Sequence, residues 1–162
     1  MKNATATSLP SRDAPVSDAT LRVFVGYHMK RAFNVIQADL SRTLAPFDLR
    51  MLTYTALVLI VDNPGLRQSQ LAAAMDMERP NLVVLLDELE ARALITRDRV
   101  PTDRRAYALR ATLAGTQLCK QAVSAVTSHE ERLLDGIDKD ARAALIATLR
   151  RIETGHAKEE SA

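Results

Sequence analysis

The sequence predicts a mainly α-helical chain with one small β-hairpin, and three observations lead there. Apolar residues recur at three- and four-residue spacing along several segments, as at Leu82, Leu85, Leu86 and Leu89. Composition disfavours a sandwich or barrel: of 162 residues, 47% are hydrophobic but only 4% aromatic, with no Trp and five Gly. The third observation is the stretch Arg97 to Arg110, RDRVPTDRRAYALR, where five arginines surround a Pro-Thr-Asp turn in a chain of net charge +2. Positive charge concentrated locally in a nearly balanced protein marks a polyanion-binding element.

Residues 1 to 16, rich in Ser, Thr, Ala and Pro, read as a mobile arm. Ser17 or Asp18 then caps a long helix with Leu21, Val25, His28, Ala32, Val35, Ile36 and Leu40 on one stripe, ending before Pro46. Asp48 caps a second helix, Leu49 to about Asp62, which Asn63-Pro64-Gly65 ends. Leu66 starts a short extended link, and Gln68 to Met75 form a small helix that buries Leu71 and Met75. After a tight connection at Asp76-Met77, a fourth helix runs from about Arg79 to Arg92. Pro80 is tolerated there because the first helical turn has no internal partner for its missing N–H.

Strands near Ile95–Arg99 and Arg105–Leu109 follow, joined over Val100-Pro101-Thr102-Asp103-Arg104. Thr112 is a good N-cap for a long helix striped with Leu118, Ala122, Ala125, Val126, His129 and Leu133, which Gly136 interrupts. A last helix, about Lys139 to Thr154, carries Ala141, Leu145, Thr148, Leu149 and Ile152 on one side. Helix, strand, arginine-rich turn, strand is the layout of a winged helix-turn-helix, so double-stranded DNA is the first partner to consider.

The outer helices have more apolar positions than the small central module can cover, and a second copy of the chain is the economical answer. The expected organisation is a winged helix-turn-helix over 48–112 with dimerisation helices at 17–47 and 113–157. A dimer of such modules suits a pseudo-palindromic operator whose half-sites lie about 34–36 Å apart on one face of the duplex.

Other classes find little support. The single cysteine, Cys119, excludes an intramolecular disulfide framework and fits a reducing cytoplasm. The apolar run Ala56 to Val61 stops at Asp62, short of a membrane span, and the N-terminus lacks a signal pattern. No phosphate-cradling glycine loop, metal-spaced cluster or nucleophile–base pair points to an enzyme, and no cofactor is expected. His28, His129 and His156 are scattered, and His129-Glu130-Glu131 lacks a spaced second histidine, so metal sensing is poorly supported.

Over roughly Leu49 to Gly115 the chain resembles the MarR family of transcriptional regulators. The carriers are Leu66-Arg67-Gln68-Ser69-Gln70-Leu71-Ala72, Leu85-Leu86-Asp87-Glu88-Leu89-Glu90, Leu94-Ile95-Thr96-Arg97, Asp103-Arg104-Arg105, and Thr112 to Gly115. Each segment is weakly specific alone, but they stand in the family's order and spacing. The resemblance implies a homodimeric regulator, usually a repressor, whose DNA affinity answers to a small ligand or to oxidation.

By position it places Arg79, Pro80, Asn81, Val83 and Val84 on the recognition-helix face that meets the major groove. Asn81 can pair bidentately with adenine, and the valines can meet thymine methyls or belong to the core. In the wing, Arg97, Arg99, Asp103, Arg104 and Arg105 join the DNA-binding set. Asp103 is expected to brace the hairpin through Arg105 or Arg97, while Arg104 at the tip reaches the minor groove or its phosphates. Ala93 departs from the family's usual glycine; either it bears a left-handed helix end at a cost of about 1 kcal/mol, or the helix ends in another geometry.

The family's ligand pocket implies Phe24, Tyr27, His28 and Arg31 on the first helix with Arg50, Met51 and Tyr54 on the second. Aromatic walls beside cations suit an aromatic carboxylate or a larger anionic conjugate. Phe24 and Met51 also read as plain core, Arg50 as a phosphate contact, and His28 as a helix-interface histidine. The segments Phe47 to Leu52, Asp62 to Gln70 and Glu78 to Leu82 are similar to a subgroup that controls hydroxycinnamate degradation and responds to aromatic acyl-CoA thioesters such as p-coumaroyl-CoA or feruloyl-CoA. A different small molecule and oxidation are the alternatives, as is, more remotely, an interaction module that does not bind DNA. Redox sensing needs an accessible, low-pKa thiol, whereas Cys119 sits mid-helix beside Leu118 with Lys120 as its one nearby cation.

Overall fold

The structure, a computed structural model, describes residues 16–100 and 103–159, with side chains over 16–99 and 107–155. The expected arm up to Pro15 and the hairpin tip at Pro101-Thr102 lie outside the described residues. The chain divides into two compact units, Met1–Val35 and Ile36–Ala162.

In the first unit, the expected helix from Ser17 or Asp18 starts later. A single 3-10 turn, Leu21–Val23, is followed by extended backbone at Phe24, and helix α1 runs Val25–Leu44. Asp18 does not cap because its carboxylate is taken by side chains. Arg22 Nε donates to Oδ1 at 2.7 Å and the Tyr27 hydroxyl to Oδ2 at 2.6 Å. The Tyr27 hydrogen bond, then that from Arg22, lowers the Asp18 pKa to about 2.

In the second unit, Pro46 sits in a 3-10 turn, Ala45–Phe47, that ends at Asp48 with φ 51°. That left-handed turn removes Asp48 from the N-cap position expected of it. Helix α2 (Met51–Asp62) is instead capped at Arg50, whose backbone N–H donates to Thr53 Oγ1 at 2.9 Å. Asn63-Pro64-Gly65 ends α2 as expected, with Gly65 at φ 89°. Leu66–Arg67 is more than a link: it forms strand β1 and pairs with the later hairpin. Helix α3 (Gln68–Ala74) buries Leu71, while Met75 is half-buried at its C-cap, one position beyond the helix. Asp76, at φ 46°, turns the chain into α4 (Arg79–Ala91), with Pro80 in its first turn. Ala93 takes φ 53°, so of the two alternatives for this residue the left-handed helix end holds.

Strands β2 (Ile95–Val100) and β3 (Asp103–Ala111) complete an antiparallel sheet in the order β1-β3-β2. Both strands run longer than expected, and Arg104 belongs to β3 rather than to the connection. Pairing is regular from Ile95↔Ala111 to Arg99↔Tyr107 and then shifts between Arg99 and Val100. Thr112 caps α5 (Leu113–Leu133) by accepting the Gly115 N–H at 3.0 Å. Its hydroxyl also donates to Ala93 O at 2.7 Å. Gly115 presses on the strand entry so closely that a Cβ there would lie 1.9 Å from Leu94 O. Gly136, at φ 81°, separates α5 from α6 (Lys139–Glu159).

The core gathers Leu44, Leu57, Ile60, Leu71, Leu86, Leu89, Ile95 and Leu109, all fully buried, with Cys119 and Ala122 of α5. Burial raises the Cys119 thiol pKa, the opposite of what a reactive cysteine needs. His129, expected on the α5 stripe, is buried with Nδ1 2.7 Å from Asp39 Oδ2, and Arg42 holds the other carboxylate oxygen at 2.5 Å. Among the described residues no single helix is long and apolar enough to cross a membrane.

Candidate nucleic-acid interface

Helix α4 presents two faces. Leu82, Leu85, Leu86 and Leu89 recur at helical spacing and are buried, which leaves Arg79, Pro80, Asn81, Val83 and Val84 on the outside. Val84 is 68% exposed and Val83 41%, so neither is a core residue of this chain. Two β-branched apolar side chains held toward water next to an exposed asparagine form a surface that can meet base edges.

The C-terminal half of α4 is tied to its neighbours by three arginines. From β2, Arg97 donates Nε to Glu90 Oε2 at 2.8 Å and Nη2 to Asp87 Oδ1 at 2.5 Å. Its side chain is only 19% exposed, and the bond to Glu90 raises the guanidinium pKa above its ordinary value. Arg92, at the end of α4, donates to the backbone carbonyls of Asp48 at 2.5 Å and Phe47 at 3.0 Å. Arg50, at the start of α2, pairs with Glu88. Helix α4 is thus fixed along its C-terminal half, while Arg79, Pro80, Asn81, Val83 and Val84 at its start remain exposed.

This geometry revises the part expected of Arg97. A guanidinium held by two carboxylates of α4 has few donors left for phosphate. Nothing local in the sequence marks Asp87 and Glu90, on the preceding helix, as the partners of Arg97 on the strand. Arg99 is exposed, and Arg110 reaches Asp98 at 3.3 Å across the hairpin. The side chains of Asp103, Arg104 and Arg105 lie outside the described residues.

The seven ligand candidates fall into two groups, one in each unit. In the first, the Tyr27 hydroxyl binds Asp18, Arg31 Nη1 reaches that hydroxyl at 3.4 Å, and His28 Nε2 lies 2.8 Å from Arg22 O. Phe24 is exposed. Tyr27, His28 and Arg31 therefore already form a small polar network. In the second, Tyr54 is half-buried against the core, which raises its pKa, and Met51 is half-buried. Arg50, in the same unit, lines a cleft of about 370 Å³ with Leu52, Met77, Asn81, Val84 and Leu85. Within the second unit, a smaller, mostly apolar cavity of about 180 Å³ lies between the C-terminal part of α1 from Ile36 on and α5, with Ile36, Leu40, Val126, His129 and Leu133 in its wall.

Residues 47–106 match the sequence model of the MarR family. A curated protein of Thauera aromatica, described as a putative transcriptional regulatory protein for the hcr operon, is 34% identical over 129 residues, which is 79% of this chain and 78% of that protein. Among solved structures, the transcriptional repressor CouR bound to a 23-mer DNA duplex superposes with a TM-score of 0.83 at 34% identity, over 86% of this chain and 99% of the other. CouR bound to p-coumaroyl-CoA superposes with a TM-score of 0.78 at 32% identity, over 86% and 98%.

Proposed function

The chain belongs to the MarR family of transcriptional regulators, and from that premise we propose that it is a homodimeric, cytoplasmic repressor released from its operator by an aromatic acyl-CoA. The bare front of α4, with Asn81 flanked by the exposed Val83 and Val84, is the observation that carries the DNA-reading part. Asn81 pairs with adenine and the valines pack on thymine methyls, so the operator core leans toward A·T. Arg79 and Pro80 stand at the front of the same helix, Arg99, Arg104 and Arg105 supply wing contacts to phosphates or the minor groove, and Asp103 braces Arg105. Arg97 holds the wing against α4 instead of reaching DNA. The module spans 48–112, and the helices at 17–47 and 113–157 form the dimer.

The effector is p-coumaroyl-CoA or a related thioester. Support comes from likeness to a repressor whose structure holds that ligand, together with the aromatic and cationic side chains of Phe24, Tyr27, His28 and Arg31 in the first unit and, in the second, the ring of Tyr54 and the thioether of Met51. A burial-raised thiol at Cys119 argues against oxidation as the signal.

The test is a mobility shift on the DNA upstream of the protein's own gene. The wild type binds a pseudo-palindromic fragment there, and p-coumaroyl-CoA releases it while free p-coumarate acts far more weakly. Retention of the complex at saturating thioester would refute the effector class. Arg104→Ala lowers affinity for all sequences alike and flattens its salt dependence by about one unit of slope.

A further inference from the structure

We propose that Arg50 is a DNA-phosphate contact positioned by Glu88, so that the cleft between α2 and α4 belongs to the DNA-binding face; this rests on the DNA-reading assignment above. The backbone of Arg50 is fixed at the cap of α2, where its N–H donates to the hydroxyl of the fully buried Thr53. From that anchored start, the guanidinium crosses to α4 and donates through Nη2 to Glu88. Glu88 lies on the same helical stripe as Asn81 and Val84, at offsets of seven and four residues. Arg50, Asn81 and Val84 all line the one cleft. The arginine therefore stands beside the residues offered to the bases, where a strand's phosphates pass.

Exposure and charge order favour the same reading. The Arg50 side chain is 74% exposed and that of Glu88 only 32%, so the pair is a dipole with its positive end outward. A guanidinium has five N–H donors, and among the described residues one is used here. Arg97 and Arg92, the other two links to α4, differ in this respect: both are mostly covered, the first by carboxylates and the second by backbone carbonyls. Without Arg50, the Glu88 carboxylate would face the polyanion uncompensated.

The experiment uses the full-length protein and the upstream DNA fragment, with Kd measured from about 50 to 300 mM salt. For Arg50→Ala we expect roughly tenfold weaker binding and a salt slope smaller by about one. Arg50→Lys, which keeps the charge but not the fork, should retain the slope with an intermediate affinity. Glu88→Gln should weaken binding about threefold at unchanged slope, and adding it to Arg50→Ala should instead recover part of the lost affinity, because the carboxylate left unpaired there repels DNA. A wild-type slope and affinity for Arg50→Ala would overturn the proposal. So would tighter binding by Glu88→Gln in both backgrounds, because Glu88 would then only repel DNA. Failure of the wild type to bind any upstream fragment at low salt would overturn the DNA-reading assignment itself, whereas tight wild-type binding with an unchanged Arg50→Ala slope rejects this proposal alone.

Discussion

The reader and the last helix use the same residue types to opposite ends. Between α2 and β3, leucines and isoleucines at helical and strand spacing disappear into one core, where Leu57, Leu71, Leu86 and Leu109 are fully buried. In α6, Leu145, Ile146, Leu149 and Ile152 recur just as regularly but remain 38–50% exposed. An apolar stripe in sequence states that something must be covered, and does not state by what. The first stripe specifies a fold within the chain; the second asks for a surface outside it, which the proposed dimer supplies.

The contrast is sharpest under substitution. Leu86→Ala should destabilise the chain by about 2–5 kcal/mol, read by chemical denaturation, because a closed core keeps the cavity. Leu149→Glu should leave the circular dichroism of the reader in place and instead shift the protein toward monomer in sedimentation. A Leu149→Glu protein that stays dimeric would break the comparison. Gly115→Ala comes next, at about 1–3 kcal/mol, since the new methyl meets the Leu94 carbonyl and α5 must back away from the sheet. An unchanged denaturation midpoint would show that this junction is loose. Ala93→Gly should act in the other direction, stabilising by up to about 1 kcal/mol by relieving the φ of 53°. A lower melting temperature would mean that added freedom in the unfolded chain outweighs the relief.

The smallest effect belongs to the N-terminal turn. Asp18 has a pKa lowered to about 2 in the folded chain. Its contribution is therefore complete above the ordinary carboxylate pKa of about 4 and disappears as pH falls from there through about 2. Loosening of the Tyr27–Asp18 contact, followed by the Tyr27 ring resonances, should fall within that window, and loosening near neutrality would contradict it.

The reader was largely legible in the sequence because burial and helical period coincide there: Leu82, Leu85, Leu86 and Leu89 announce both a helix and its inner face. Pro64, Gly65 and Pro80 mark boundaries for steric reasons that need no tertiary context. Asp48 misled because its side chain suits a cap, while the chain's exit from the Pro46 turn decided its backbone. Asp18 misled for the complementary reason: Tyr27 and Arg22 compete for the same carboxylate. The links from Arg97 to Glu90 and from Arg50 to Glu88 join elements 7 and 38 residues apart in sequence. A charged residue on an exposed helix face carries no local signal of its partner.

The junction of Ala93, Leu94, Thr112 and Gly115 has a mechanical meaning. Hydrogen bonds and a methyl-free contact join the base of α5 to the point where α4 hands over to the wing, leaving no slack for one to move without the other. With 21 residues, α5 is a lever about 30 Å long. A tilt of about 10° at its far end therefore swings the wing and the rear of α4 through about 5 Å. In the proposed dimer, whose two readers would straddle half-sites about 34–36 Å apart, such a stroke would throw the pair out of step with the groove.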